Sequence, residues 1–570
     1  MQERPGERAP ETQEDGSKST GRLVAGLASL GRALRFFDVT SQEILWPIAL
    51  GLGIVVGYAV LGFRTAISLV QTLIYGADDI WLHSVAAGLP WQVVLLAPVG
   101  GGLAVGLLLK VLTPDGRPGG VANVIEAAAV GQGLVDKRRG TASVLAALIT
   151  LSTGGSTGRE GPAIHLGATI STYLSERLGV AEVTGRDILA CAVAAAVSAS
   201  FNAPIAGAIF ALEVVLRHYA LHSFGPVVIA SVAAAVVSRL HFGDVAEFTL
   251  PEHGIGFYWE LPAFTILGIL CGLVGTILMW TIFFAEEVGD RVQRLLHMPT
   301  WLRPAFAGLI LGVMATQFPH IIGVGYETTS LALTAQIAYD TAIVFAVVKV
   351  VAVSITLCGF MGGGVFSPAL MLGALTGCAF GEIAIGLLPT VSGSQGLYAL
   401  AGMGAVAGAV LGAPISSTLI IFELTGDYQA GIAVMVSVSL ASVVSDRLIS
   451  RSFFLTQLER QGLHLHVGPQ GYLATTMPVI ELMRPQGSDD GASETQCHTL
   501  YEQGAWLRRG DTLEKALPMF ERLKGPFLPI MDTTGDDADD HPEVLGALFR
   551  TDALRAYSRR LEEELREEHR

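Results

Sequence analysis

The chain has 570 residues, of which 51% are hydrophobic, only 15% are charged and 67 are glycine, with a net charge of −15. Soluble domains carry about a quarter charged residues, so this composition excludes an ordinary globular enzyme and points to an all-α polytopic membrane protein. The acidic balance offers no basic patch for nucleic acid.

In chain order, residues 1–20 are polar and rich in Pro, Gly and charge, the composition of a disordered segment. No signal peptide precedes the first apolar run, which is read as its own insertion signal. Arg22, Arg32 and Arg35 beside it predict a cytoplasmic N-terminus, and Lys137-Arg138-Arg139 and Arg447 with Arg451 fit further inner loops. Charge-free runs at Ile44–Phe63, Trp81–Leu109, Ile188–Leu212, His218–Ser238, Leu261–Ala285 and Pro304–Tyr326 each have the length to span a bilayer. Val350–Gly381 and Ile383–Phe422 are longer and must hold more than one helix or re-entrant segments. Cys191, Cys271, Cys358, Cys378 and Cys497 are odd in number and scattered, which argues against disulfides and a metal site. No cofactor is expected.

The stretch Gly154-Gly155-Ser156-Thr157-Gly158-Arg159-Glu160-Gly161-Pro162 breaks the apolar pattern. Pro162 suits the first turn of a helix that Ala163–Ala168 continue. Glu160 therefore stands at a helix N-terminus, where unpaired N–H groups and the dipole favour negative charge. Such an end takes a carboxylate or a free anion, and the two compete for it. A first-turn carboxylate that only stabilises its helix is the plainer reading. The flanks here are membrane-like, and an ionisable group at membrane depth is a functional candidate by default. His165, five residues on, leaves the face of Glu160 and receives no role.

An internal repeat organises the rest. Asn202-Ala203-Pro204-Ile205 is followed by Glu213, and Gly412-Ala413-Pro414-Ile415 by Glu423, each acid nine residues after its proline. A small-residue helix precedes each, at Leu189–Ser200 and Leu397–Ala409. Upstream lies a glycine-rich break ending in proline: Gly158–Pro162, then Gly362-Gly363-Gly364-Val365-Phe366-Ser367-Pro368. Paired halves with interrupted apolar segments point to a binding site near the bilayer midplane, because unwound backbone survives there only where it lines a cavity or is buried in protein. Close helix packing accounts for most of the other glycines. Glu213 and Glu423, recurring in both halves, are read as hydrogen-bonding groups near helix ends.

Beyond Arg451 the chain leaves the membrane, and from Glu459 onward 21 acids stand against 13 Lys and Arg. Residues 486–500 read as loop. Leu513, Ala516, Leu517, Phe520 and Leu523 give Thr512–Leu523 an apolar helical face, although Pro518 argues against that helix. Phe527–Met531 is a strand that Pro529 confines to an edge or a break. Val544–Phe549 is a second strand, before a helix at Thr551–Leu561. The acidic insert Asp536–Asp540 and the charged end Glu562–Arg570 read as solvated.

These motifs resemble the CLC family of chloride channels and proton/chloride antiporters. Gly158-Arg159-Glu160-Gly161-Pro162 matches its G-R-E-G-P segment and Gly364-Val365-Phe366-Ser367-Pro368 its G-x-F-x-P segment, while Phe201–Gly207 and Gly412-Ala413-Pro414 match further family stretches. The resemblance covers roughly residues 40–465. It implies a homodimer with one anion pathway per subunit, two inverted-topology halves of tilted and partial helices, both termini cytoplasmic, and a location in the plasma (inner) membrane. It divides the chain into a mostly disordered segment 1–40, an anion-transport domain 41–465 and a cytoplasmic tail 466–570.

By the same resemblance Glu160 is the gating glutamate, and the N–H groups of Val365 and Phe366 coordinate the central anion. Gly161 belongs to the same anion-binding segment, and Arg159 raises the local potential or pairs with backbone carbonyls. Pro118-Gly119-Gly120-Val121-Ala122 aligns with the family's G-S-G-I-P, so the serine hydroxyl is lost at Gly119, and a tyrosine that meets the central anion aligns with Phe454. Two missing hydroxyls weaken the inner side of the site and put chloride-over-nitrate discrimination in question. Antiporters carry an inner glutamate where Val214 stands, leaving only a water wire, His218 or His222 for protons. The intact Arg159 disfavours the fluoride-exporting branch. The tail's helix, strand, strand and helix resemble one CBS module, which brings an expectation of adenine nucleotide with no residue to carry it. The resulting expectation is a channel-like chloride conductor gated by Glu160, with a proton-coupled antiporter using a rerouted proton path as the alternative. A membrane enzyme ranks far below, since no nucleophile–base pair or ligand cluster lies in the apolar runs.

Overall fold

The computed structural model describes residues 42–180, 182–217, 221–243, 260–387, 389, 393–426, 428–463, 474, 477–488, 491–523, 525–532 and 543–568. The segment 1–40, His218, the side chain of His222 and the acidic insert 536–540 lie outside them. The membrane part is helical throughout, as its apolar runs demand: with no water to satisfy backbone groups, each segment must bond internally.

The first half comprises α1 (Gln42–Tyr75), α2 (Leu82–Gly88), α3 (Trp91–Leu112), α4 (Val121–Ala129), α5 (Lys137–Ser152), α6 (Glu160–Leu178), α7 (Glu182–Phe201), α8 (Pro204–Phe210) and α9 (Leu221–Phe242). The second comprises α10 (Leu261–Leu295), α11 (Arg303–Gln317), α12 (Tyr326–Leu333), α13 (Tyr339–Cys358), α14 (Phe366–Leu387), α15 (Gln395–Leu411), α16 (Pro414–Thr425) and α17 (Tyr428–Leu448). The short α18 (Phe453–Arg460) follows. Among the described residues, eight helices are long and apolar enough to cross a membrane. The two long apolar runs each divide, into α13–α14 and α15–α16. Pro304–Tyr326 falls short of the predicted span: its helix α11 has 15 residues, and Pro319–Ile321 forms a separate turn.

The small-residue helices α7 and α15 are almost wholly buried, the latter along its entire length. Gly373 and Gly377 of α14 would place a Cβ 2.2 and 2.1 Å from the Gly402 and Tyr398 carbonyl oxygens of α15. Only glycine lets those two backbones touch, which is how small residues hold membrane helices together. Pro204 and Pro414 each open their helices at the first position, after Ala203 and Ala413. The residues one step earlier, Asn202 (φ 55°) and Gly412 (φ 65°), are both left-handed. The two repeats thus turn the chain in the same way at the same place.

In the tail, α19 (Val479–Leu482), β1 (Arg484–Pro485), α20 (Glu494–Glu502), β2 (Leu507–Arg508), α21 (Leu513–Leu523), β3 (Phe527–Asp532), β4 (Glu543–Phe549) and α22 (Arg550–Glu568) surround a four-stranded sheet of order β1-β4-β3-β2. Four expectations are corrected. The segment 486–500 is not all loop, because α20 begins at Glu494 and buries Cys497. α21 runs through Pro518, which lies on the exposed face of the helix, where the carbonyl its missing N–H would have met need not be left dry. Leu513, Ala516 and Phe520 form its buried face and Leu517 is half-buried, but Leu523 is exposed. β3 is an interior strand rather than an edge. Pro529 is tolerated because β2 pairs only with Ile530 and Met531, and a register shift follows Ile530.

Candidate functional site

The two glycine-rich breaks meet face to face. Gly158 N–H donates to Gly364 O at 2.7 Å and Gly364 N–H returns a bond to Gly158 O at 2.9 Å, while Thr157 Oγ1 donates to the same Gly364 carbonyl at 3.0 Å. Gly363 is left-handed (φ 124°), and a Cβ there would lie 2.1 Å from Thr157 Oγ1, so the contact requires glycine. This pairing satisfies backbone groups that the breaks would otherwise strand in the bilayer. It also sets the N-terminus of α6 beside that of α14, and both are electropositive ends.

Glu160, the first residue of α6, is 1% exposed. Its carboxylate reaches across to α14, where the hydroxyl of Ser367 donates to Oε2. The Tyr326 hydroxyl, from the start of α12, donates to Oε1 at 3.1 Å. Arg159 lies 3.9 Å from Glu160 Oε1 and 3.8 Å from Asp79, with its guanidinium 4.5 Å above the Tyr326 ring. Asp79 in turn accepts from Gln71 Nε2 at 2.7 Å. The carboxylate therefore occupies the tip of a helix in the opposite half, a place that suits any small anion.

Below the crossing opens a cavity of 370 Å³. Gly119, Gly120, Val121, Gly362–Val365 and Phe454 all line it, so the structure brings together inner segments separated by more than 300 residues. Gly161 joins the two levels: a Cβ there would stand 3.2 Å from Gly364 Cα and 3.6 Å from Val121 Cγ2. Phe366 is buried against Phe201, ring centroids 4.8 Å apart. The N–H of Gly119 donates to Ser143 Oγ at 2.6 Å and that of Gly120 to Asn123 Oδ1 at 3.1 Å, so both point into protein side chains. Val214 is buried in a π-helical turn, Ala211–Leu216, and does not line the cavity.

His165, given no role from sequence, is buried with Cε1 only 2.7 Å from where a Gly119 Cβ would lie. The lost serine and the histidine thus share one space, a coupling that no single-position reading shows. Glu213 and Glu423 do bond at helix ends, and their partners lie in the other half. Glu423 accepts the N–H groups of Ile205 (2.9 Å) and Ala206 (2.7 Å) at the tip of α8. Glu213 accepts those of Ile415 (3.0 Å) and Ser416 (2.7 Å) at the tip of α16, with the Ser416 hydroxyl at 2.5 Å.

Sequence reasoning missed three further groups. Tyr326 follows a glycine in a run that reads only as apolar, and Ser367 looks like motif filler. Phe360 carries a left-handed backbone (φ 57°) in the cavity wall, with Arg303 and Arg117 guanidinium carbons 3.9 and 4.7 Å from its ring.

The family model described as voltage gated chloride channel matches residues 101–446. A putative chloride channel protein ClcB-like of Ralstonia nicotianae is 32% identical over 406 residues, 70% of this chain and 94% of the relative. The voltage-gated ClC-type chloride channel ClcB of Escherichia coli is 33% identical over 413 residues, 71% and 97% of the two chains. Among solved structures, a slow cyanobacterial Cl⁻/H⁺ antiporter aligns with a TM-score of 0.65 at 24% identity, covering 73% of this chain and 97% of that one. A eukaryotic CLC transporter aligns at 0.64 and 18% identity, covering 92% and 98%. Its broken helices, its paired halves and these likenesses give one answer: the chain belongs to the CLC family, multi-pass membrane proteins that transport anions.

Proposed function

We propose that the protein is a channel-like chloride conductor in which Glu160 is a pH-sensitive gate. The observation that carries this reading is the seat of the Glu160 carboxylate on Ser367 at the tip of α14. An anion coming from the 370 Å³ cavity past Val365 and Phe366 needs the same tip, so conduction requires the carboxylate to leave or to be neutralised by a proton. Val214, apolar and buried at the position of the family's inner glutamate, supports passive conduction over obligatory proton exchange. Gly119, Gly120 and Val121, with Val365, Phe366 and Phe454, form the inner anion path, and Arg159 with Gly161 the outer.

Arg139 lines the cavity, and Lys137-Arg138-Arg139 marks a cytoplasmic loop by the positive-inside rule. The cavity is therefore the cytoplasmic vestibule, and α18, which also lines it, leads into a cytoplasmic tail. The protein sits in the plasma membrane as a homodimer with one pathway per subunit, on family likeness. The tail acts as a single CBS-like regulatory module whose nucleotide binding is a further expectation of that likeness.

The second reading, a proton-coupled antiporter, draws on the cyanobacterial neighbour, described as a Cl⁻/H⁺ antiporter, and on Glu286, a carboxylate that lines the vestibule without Val214. Purified protein in liposomes with symmetric chloride and a pH gradient separates the two. Channel-like conduction leaves the reversal potential at zero, whereas a reversal displaced by the proton gradient establishes coupling. Glu160→Gln should conduct with little dependence on external pH, and a wild-type pH response in that variant removes Glu160 from the gate.

A further inference from the structure

We infer that Tyr326 is a positioning residue that latches the Glu160 carboxylate into the anion pathway. The inference rests on the reading of Glu160 as the gate and names what holds that gate shut.

Tyr326 owes its place to Gly325 before it. Gly325 is left-handed (φ 93°), and a Cβ there would lie 2.3 Å from Met371 Sδ of α14, so only glycine brings the start of α12 onto α14. The preceding segment is fixed as well. Gly323 bridges to Ser156 of the first break, and the buried Lys349 ammonium donates to the carbonyls of Ile321 (3.4 Å) and Gly323 (3.2 Å). The Tyr326 ring, 9% exposed, lies beneath Arg159, and its hydroxyl ends on Glu160 Oε1.

The carboxylate is thus held at both oxygens by donors from two second-half elements, Tyr326 on α12 and Ser367 on α14. A hydroxyl on an ionised carboxylate is a charge-assisted bond. It favours the seated, ionised form over a carboxylate turned out or protonated. The charged group beside it is Arg159, 3.9 Å away, with Asp79 against that guanidinium and the Lys349 ammonium on the Ile321 and Gly323 carbonyls behind Tyr326. A Tyr326→Phe substitution leaves all three in place while keeping the ring beneath Arg159.

The test is chloride flux from liposomes for wild type, Tyr326→Phe, Glu160→Gln and the double variant, across external pH and chloride. Loss of one charge-assisted bond weakens the latch by roughly tenfold or more. Tyr326→Phe should lower the chloride concentration for half-maximal flux about tenfold and move acid activation to higher pH. Its flux at the acid plateau should equal that of wild type. In the Glu160→Gln background the same change should do nothing. Unchanged chloride and pH dependence overturns the latch, as does an equal effect with and without Glu160. A Glu160→Gln variant that gates like wild type instead defeats the gate reading. Should the phenylalanine variant fold poorly, Tyr326→Met, which also removes the hydroxyl, takes its place in chloride titration of the detergent-purified protein: an affinity equal to that of wild type would overturn the latch.

Discussion

Replacing Glu423 by alanine tests the idea that the two halves cap one another. The carboxylate accepts two N–H groups at 2.9 and 2.7 Å from the first turn of α8, which Ala203 cannot cap with a side chain. Hydrogen bonds to a charged group contribute about 1.5–3 kcal/mol each, and a carboxylate at a helix N-terminus adds about 0.3–1 kcal/mol. The two bonds share one half-exposed side chain, so solvent takes up part of the loss. The expected destabilisation is about 2–4 kcal/mol. Glu213→Ala removes two N–H contacts and a hydroxyl contact from α16 and should lose at least as much. Because each acid sits near the end of the helix that the other caps, releasing one lets the α8–α16 pair shift. The double variant should then fall short of the sum by about 0.5 kcal/mol or more. Denaturant unfolding in detergent, followed by tryptophan fluorescence, measures all three, with Glu423→Gln as a control that keeps an acceptor and loses the charge. A Glu423→Ala loss below about 0.5 kcal/mol, the scale of a surface substitution, would refute the mutual cap, and strict additivity would refute the coupling.

Other outcomes follow from the same geometry. Gly119→Ser does not simply restore a family hydroxyl. Its Cβ meets His165 Cε1 at 2.7 Å and Asn123 Oδ1 at 3.1 Å, so it should destabilise by about 1–3 kcal/mol, and His165→Ala in the same chain should recover most of that in a melting experiment. Arg117 is exposed on the vestibule wall with its guanidinium over Phe360. Arg117→Gln should lower flux from the vestibule side about two- to threefold at low ionic strength, and the gap should close near 1 M salt, where screening shrinks to about 3 Å. A salt-independent effect would point to packing instead. In the tail, burial raises the Cys497 thiol above its ordinary value. It should therefore resist alkylation at pH 8 until the tail is unfolded, as read by mass spectrometry.

What the sequence made legible is whatever has a local cause. Pro204 and Pro414 announce helix starts because a missing N–H is harmless only there, and the acid nine residues after each marks a repeat without any structure. Gly158–Pro162 and Gly362–Pro368 announce unwound backbone. The partners of those groups were not legible, because a carboxylate at Glu213 carries no sign that its donors are Ile415 and Ser416, 202 and 203 residues away. Tyr326 was hidden for the same reason. The two proline misreadings in the tail have the opposite cause: the local rule is sound, but exposure at Pro518 and a two-residue neighbour strand at Pro529 remove the demand on which the rule depends.

The two halves put the same device to unequal use. At α8 and α16 each helix tip is filled by the other half's glutamate, symmetrically, which fastens the repeats together. At α6 and α14 only one half supplies an acid: Glu160 fills the tip of α14, while the corresponding place on the second break is Phe366, which packs against Phe201 instead. A symmetric pair of acids there would neutralise both tips and leave a permanent plug. With one acid missing, a single carboxylate serves two electropositive ends, and on the proposed reading its departure is what opens the site. The asymmetry makes a sharp demand: Phe366→Glu, which restores the symmetry, should abolish anion flux even in the Glu160→Gln background, because the new carboxylate would fill the tip of α6 and stay in the pathway.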